Sequence, residues 1–180
     1  MKGVAMKNQL FLGIVLIFSA ACARLFPHPP NVTPVIAMAL VGGLYLDKRI
    51  GFVIPIMALL LSDLVLGFHG LMLYVYGSVL LVVILGASLQ SRKSPATIVA
   101  GSLVSSILFF LITNAGVWLQ GSGKVYPMTF DGLMLSYTMG IPFFRNALLG
   151  DLFFVALLSG LFEFGRKFAI APNPSSNKNP

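Results

Sequence analysis

Apolar residues run along this chain in long blocks separated by short polar breaks. The blocks cover residues 10–23, 35–46, 50–66, 71–89, 95–119 and 141–161. Within each block the apolar positions are continuous rather than alternating, which predicts helices and argues against a barrel of strands. At 1.5 Å per residue, the blocks of seventeen or more residues reach most of the way across a ~30 Å hydrocarbon layer. The first two blocks, of fourteen and twelve residues, are short for that task.

The breaks differ in kind. Asp47-Lys48-Arg49, Gly67-Phe68-His69-Gly70, Arg92-Lys93 and residues 120–124 read as turns. Between the first two blocks, Pro27, Pro29, Pro30 and Pro34 forbid a regular helix and pre-set an extended path. Such a stiff segment either holds His28 and Asn31 in place or is a plain connector with a solvated histidine. Residues 126–140 are partly apolar but carry Asp131 and Tyr137. An interfacial helix or lid, separate from the last span, is the expectation there. Residues 171–180 are rich in Pro, Asn and Ser and are expected to form a disordered cytoplasmic tail.

Composition places these helices in a membrane. Of 180 residues, 57% are hydrophobic and only 9% charged, and mean hydropathy is +0.92, whereas a soluble domain is nearer a quarter charged. The expected architecture is an all-α integral membrane protein, one domain over residues 1–170, built as a six-transmembrane-helix bundle. Six spans put both termini on one side. Lys2, Lys7, Lys48, Arg49, Arg92, Lys93, Arg166, Lys167 and Lys178 then fall on the terminal side, against Arg24, Lys124 and Arg145 on or near the other. That bias makes the N and C termini cytoplasmic. The net charge of +7 is accounted for by these loop clusters, so nucleic acid is not an expected partner. The single Cys22 excludes an internal disulfide and any multi-cysteine metal site. The first block also has the look of a cleaved signal, but Ser19-Ala20-Ala21-Cys22 lacks the aliphatic residue expected three before a lipoprotein cysteine, and it is read as a retained first helix.

Polar residues inside the blocks carry the candidate chemistry. The last block contains Arg145, Asn146 and Asp151, and a charge at the centre of a bilayer costs about 2.5–3.5 kcal/mol on insertion scales. Arg145 and Asp151 are six residues apart, about 240° around a helix, so each needs a partner elsewhere. Asp63 is the expected partner of Arg145, and a structural role is expected for the deeper Asp151. Under the six-span topology His28, Asn31, Asp63, His69, Tyr74, Tyr76, Asn114, Trp118, Tyr126, Asp131, Arg145 and Asn146 all fall at outer ends or in outer loops. Polar and aromatic groups gathered on one face suit an outward-facing pocket. Its expected ligand contacts are His28, Asn31, Asp63, His69, Tyr74, Asn114, Trp118, Arg145 and Asn146, with Arg145 and Asn146 donating to an anion or carbonyl. Each has a plainer account as well: Trp118 suits an interfacial aromatic belt, and Arg145 and the acids can simply neutralise one another.

Other chemistries have weaker support. His28, His69 and Asp63 lack any short-range metal-ligand spacing. Cys22 has no histidine near it in sequence, and neither a glycine-framed serine elbow nor a zinc-protease helix motif is present. Without a glycine-rich phosphate loop the chain cannot hydrolyse ATP by itself. No enzymatic activity, metal or cofactor is expected.

Four motifs carry a family resemblance: Arg24-Leu25-Phe26-Pro27-His28-Pro29-Pro30-Asn31-Val32-Thr33-Pro34; Leu61-Ser62-Asp63 with Gly67-Phe68-His69; Thr113-Asn114-Ala115-Gly116-Val117-Trp118; and Pro142-Phe143-Phe144-Arg145-Asn146-Ala147-Leu148-Leu149-Gly150-Asp151. In this order they resemble a bacterial family of unknown function catalogued among candidate transport proteins. That family is in turn similar, in size and six-helix layout, to the S components of energy-coupling factor vitamin transporters. The resemblance implies a multi-pass protein of the bacterial inner membrane that captures a vitamin- or cofactor-like small molecule from outside. It further implies a transmembrane coupling protein and two ATPase subunits as partners beside the lipid bilayer. The first helix departs from the S-component pattern, since its small residues four apart are Ser19 and Ala23, near the outer end, with Gly13 alone. The contrasting expectation is a non-transporting scaffold or assembly subunit whose intramembrane charges bind a partner helix.

Overall fold

The computed structural model describes residues 31–170 continuously, together with Phe11, Val15, Ser19 and residues 22–25; for residues 166–170 the description is of backbone only. His28 and the tail at 171–180 lie outside the described residues. Residues 22–25 are helical. Five α-helices follow: α1 (Val35–Tyr45), α2 (Lys48–Leu66), α3 (Met72–Ser88), α4 (Pro95–Gln120) and α5 (Phe130–Ile170), with one 3-10 turn at Gln90–Arg92. No strand occurs among the described residues.

Three helices are long and apolar enough to cross a membrane: Lys48–Leu66, Pro95–Gln120 and Phe130–Gly165. Helices α1 and α3 are shorter apolar helices. At 1.5 Å per residue α4 is about 39 Å long whereas α1 is only about 16 Å. The short helix is the hub. Ten of its eleven residues are buried, and it packs on α2, α3, α4 and α5. A helix apolar on every face can be surrounded in this way. Gly42 and Gly43 permit the close approach. A Cβ on Gly43 would sit 2.8 Å from the Ala87 nitrogen and 3.0 Å from the Gly86 Cα of α3, and one on Gly42 would meet the Gly51 carbonyl of α2 at 3.3 Å. The small residues therefore set two backbone-to-backbone crossings on one helix.

Helix α4 is inverted relative to a soluble helix. Its buried residues are Gly101, Ser102, Ser105, Ser106 and Gly116, while Val99, Leu103, Val104, Ile107 and Leu111 are exposed. Two of the buried hydroxyls bond back to the helix's own carbonyls, Ser105 to Gly101 at 2.7 Å and Ser106 to Ser102 at 3.1 Å, while the Ser102 hydroxyl has no partner among the described residues. A small, polar inner stripe beneath an apolar outer surface is how helices pack when the surroundings are hydrocarbon.

The last helix departs from expectation. Residues 130–140 are not a separate lid but the first turns of a single 41-residue α5 that runs through Pro142. Its polar residues are absorbed by α4, which explains why the segment need not peel away. Ser136 donates to the Asn114 carbonyl at 2.9 Å, Tyr137 to the Leu111 carbonyl at 3.3 Å, and Phe110 packs on Phe144 with ring centroids 4.7 Å apart. The two helices are antiparallel, and the same register brings Ser106 to Asp151.

The bundle has two distinct ends. At one, the Gln90 amide donates to the Gly43 and Leu46 carbonyls at 2.8 and 3.1 Å, closing the C-terminus of α1. Lys93 lies 4.8 Å above the Tyr45 ring, which stacks on Phe162. At the other end the Gln120 amide donates to the Gly70 carbonyl, and the Trp118 indole donates to the Pro127 carbonyl at 2.8 Å. Because α1 covers less than half the height of α4, the non-helical residues 31–34 descend into the bundle to reach it. Val32 lies close against Gly150 of α5, where an added Cβ would be 3.3 Å from the Val32 Cα.

Candidate functional site

The descent of residues 31–34 leaves open space above the N-terminus of α1. A cavity of about 290 Å³ occupies it, lined by Arg24, Asn31, Thr33, His69 and Asp151 among polar residues and by Val35, Ile36, Leu59, Leu66, Val75, Phe109 and Ala147 among apolar ones. A second cavity of about 240 Å³ shares Asn31, Val75, Phe109 and Ala147 with it and extends between α4 and α5 past Ser106, Phe110, Thr113, Asn114, Phe143 and Phe144. Asn31 adopts the left-handed conformation with φ 64°, which asparagine tolerates better than most residues. That turn lets the chain enter α1 while the residue borders both cavities.

Two buried carboxylates flank this space. Asp63, on α2, is fully buried and lies 3.0 Å from an Arg24 guanidinium nitrogen. The same nitrogen donates to the Ser62 hydroxyl at 2.6 Å, and the Tyr76 hydroxyl donates to the other Asp63 oxygen at 2.9 Å. The Asp63 oxygen facing Arg24 is not aligned for a hydrogen bond, so the contact is an ion pair and the directed bond of Arg24 is the one to Ser62. Ser62 in turn donates to carbonyls of its own helix. Asp63 is therefore answered by a positive charge and a phenol.

Asp151, on α5, is only 3% exposed. Its Oδ2 accepts from the Ser106 hydroxyl at 2.7 Å. Among the described residues no lysine, arginine or histidine forms an ion pair with it, and no donor reaches its other oxygen.

The residues expected at a ligand site divide accordingly. Asn31, His69 and Asn114 line the cavities, and the Asn114 amide donates to the Phe110 carbonyl at 2.8 Å. Asp63 sits behind the lining, held by Arg24. Tyr74 lies flat against Gly116 of α4, and Trp118 fastens the loop before α5; neither borders the two cavities. Asn146 is half-buried and lines neither of them.

Arg145 corrects the expected pairing. It is exposed, on an α5 stripe with the exposed Ile141, Leu149 and Phe153. Among the described residues it has no ion-pair partner, because the fully buried Asp63 faces Arg24 instead. The 240° between Arg145 and Asp151 leaves room for only one of them on the cavity side, and Ala147, four residues before Asp151, marks that side.

Arg24, Ser106 and the aromatic pair Phe109–Phe110 are the residues that sequence reading left unassigned. Arg24 stands next to the proline-rich segment at the same end as Asp63, which was a usable signal. Ser106 gave none, since a serine in an apolar run most often bonds only to its own helix. Among the described residues no three of His, Cys, Asp or Glu gather as metal ligands.

No curated protein and no solved structure is significantly similar to the chain. A family model does match it, over residues 5–173, and by that match the chain belongs to DUF6580, a family of unknown function.

Proposed function

We propose that this protein is a membrane-embedded capture component for uptake of a small, vitamin- or cofactor-like molecule, which binds in the paired cavities above α1. One observation carries the reading: Asp151, buried and without a countercharge among the described residues, borders a cavity and is bonded only by the Ser106 hydroxyl. A carboxylate in an apolar bundle is costly unless it meets a charge, a donor set or a ligand. The inverted burial of α4 and the exposed apolar surfaces support placement in a bilayer. In this reading the protein crosses a bacterial inner membrane six times with both termini cytoplasmic. The first apolar block, residues 10–23, is the first pass, and α1 serves as a half-length pass reached through residues 31–34. The cavity end then faces outward. A separate coupling protein with ATPase subunits would supply the energy.

The test is thermal unfolding of the detergent-purified full chain against a broad vitamin and cofactor panel. A ligand that binds the native state raises the melting temperature. The reading expects at least one compound to do so by several degrees; a flat response across the panel contradicts it.

Arg145 favours a second reading, a scaffold subunit. A guanidinium on an otherwise apolar outer stripe suits a partner helix carrying a carboxylate. In that case Arg145→Leu leaves the melting of the isolated chain unchanged and abolishes co-purification of a stoichiometric membrane partner.

A further inference from the structure

We infer that Asp151 is the anchor for a protonated amine, so that the paired cavities take a compound with an ammonium group on a compact aromatic body. This rests on the capture reading above and narrows it to a substrate class.

The charges around the space decide the sign. Among the described residues Arg24 is the one permanent cation on the lining, and its guanidinium is held by Asp63 and Ser62. That pair is neutral as a unit. Beside Arg24 and Asp151, His69 is the titratable group that the described residues place on the lining, and Tyr76 is bonded to Asp63 behind it. Asp151 then leaves the cavity with one unmatched acid. The N-terminus of α1, through Val35 and Ile36, opens on the same cavity, and its dipole favours a negative charge there. That offsets part of the cost of ionised Asp151 but brings no donor to its free oxygen.

A purely mechanical role does not call for a carboxylate. The Ser106 hydroxyl needs only an acceptor to tie α4 to α5, and an asparagine carbonyl provides one without a buried charge. What the carboxylate adds is attraction for a cation, strengthened by the low dielectric around it.

The shape of the space sets the rest of the ligand. Asp151, Ala147, Phe144 and Gly140 recur at helical spacing along one face of α5, a distance of roughly 16 Å. Beyond Ala147 that face is bordered by Phe109, Phe110 and Phe143, with the Asn114 side chain near Gly140. An ammonium at Asp151 directs the body of the molecule into this aromatic chamber, where ring faces and edges are the favourable contacts.

The experiment uses matched probes on two frames: phenethylamine, 2-phenylethanol and phenylacetate, and tryptamine, tryptophol and indole-3-acetate. Each is added at millimolar concentration to the detergent-purified full chain, and unfolding is followed thermally. The amines are expected to raise the melting temperature by roughly 3–8 °C, while the alcohols and carboxylates leave it within about 1 °C. In Asp151→Asn, which keeps an acceptor for Ser106, the amine shift is expected to vanish. The charge series on the wild-type chain is read without any variant, so a variant that fails to fold does not spoil the test. Carboxylates that stabilise as well as amines, or an amine shift that survives in Asp151→Asn, overturn the inference and leave the capture reading standing. No shift from either amine also overturns it, and the vitamin and cofactor panel then decides separately whether capture falls with it.

Discussion

Asp63 and Asp151 are the same residue type at nearly the same burial, yet their surroundings are opposite. Asp63 sits where three chain segments converge and is met by the Arg24 guanidinium and the Tyr76 hydroxyl. Asp151 sits where α4 and α5 part around open space and is met by one serine. A buried charge with its partners supplied by the fold contributes to architecture, because removing a partner strands the other. A buried charge whose remaining valence faces a cavity is better explained by what enters the cavity. Burial does not separate these cases, nor does the count of hydrogen bonds, one to each acid among the described residues; the Arg24 countercharge at Asp63 and the cavity at Asp151 do.

That contrast can be broken at several points. The largest effect is expected from Arg24→Ala, which strands a fully buried carboxylate; losing one partner of such a pair typically costs about 3–5 kcal/mol. Combining it with Asp63→Asn should recover much of the loss, and the coupling is read from a double-mutant cycle of thermal unfolding. Tyr76→Phe removes one bond to a charged acceptor and should cost about 1.5–3 kcal/mol while leaving ligand binding intact. On the other side of the comparison, Ser106→Ala should destabilise by no more than about 1 kcal/mol, since Asp151 still faces the cavity and water can replace the hydroxyl. Its diagnostic readout is a changed affinity for phenethylamine or tryptamine. Arg145→Leu is expected to change the unfolding of the isolated chain least of all, because among the described residues no partner is left behind.

How much of this was legible beforehand follows from the physics of an apolar chain. Helix positions were readable because charged and glycine-containing breaks interrupt long apolar runs, and the Gly42-Gly43 approach was readable because only small residues let helix backbones meet. The direction each helix faces was not. In a soluble helix one face is polar and its period identifies the core side, whereas here the outer surface is apolar too. Helix α1, buried all round, and α4, with an exposed apolar face, are both predominantly apolar and free of charged residues. The 240° between Arg145 and Asp151 was available from spacing, but not which of them turned inward. The continuity of α5 was hidden for a related reason: Asp131 and Tyr137 in a partly apolar segment suggested a break, while the groups on α4 that receive Ser136 and Tyr137 are backbone carbonyls, which every sequence carries.

The difference between the two acids can be measured on them directly. Asp63→Asn and Asp151→Asn, purified side by side and unfolded thermally without ligand, separate an architectural charge from one reserved for a guest. Asp63→Asn should lose about 3–5 kcal/mol by leaving Arg24 without its countercharge, and Asp151→Asn should stay within about 1 kcal/mol of the wild type or exceed it. Should Asp151→Asn fall as far as Asp63→Asn, Asp151 would be part of the framework, and the cavity would lose the residue that marks it as a binding site.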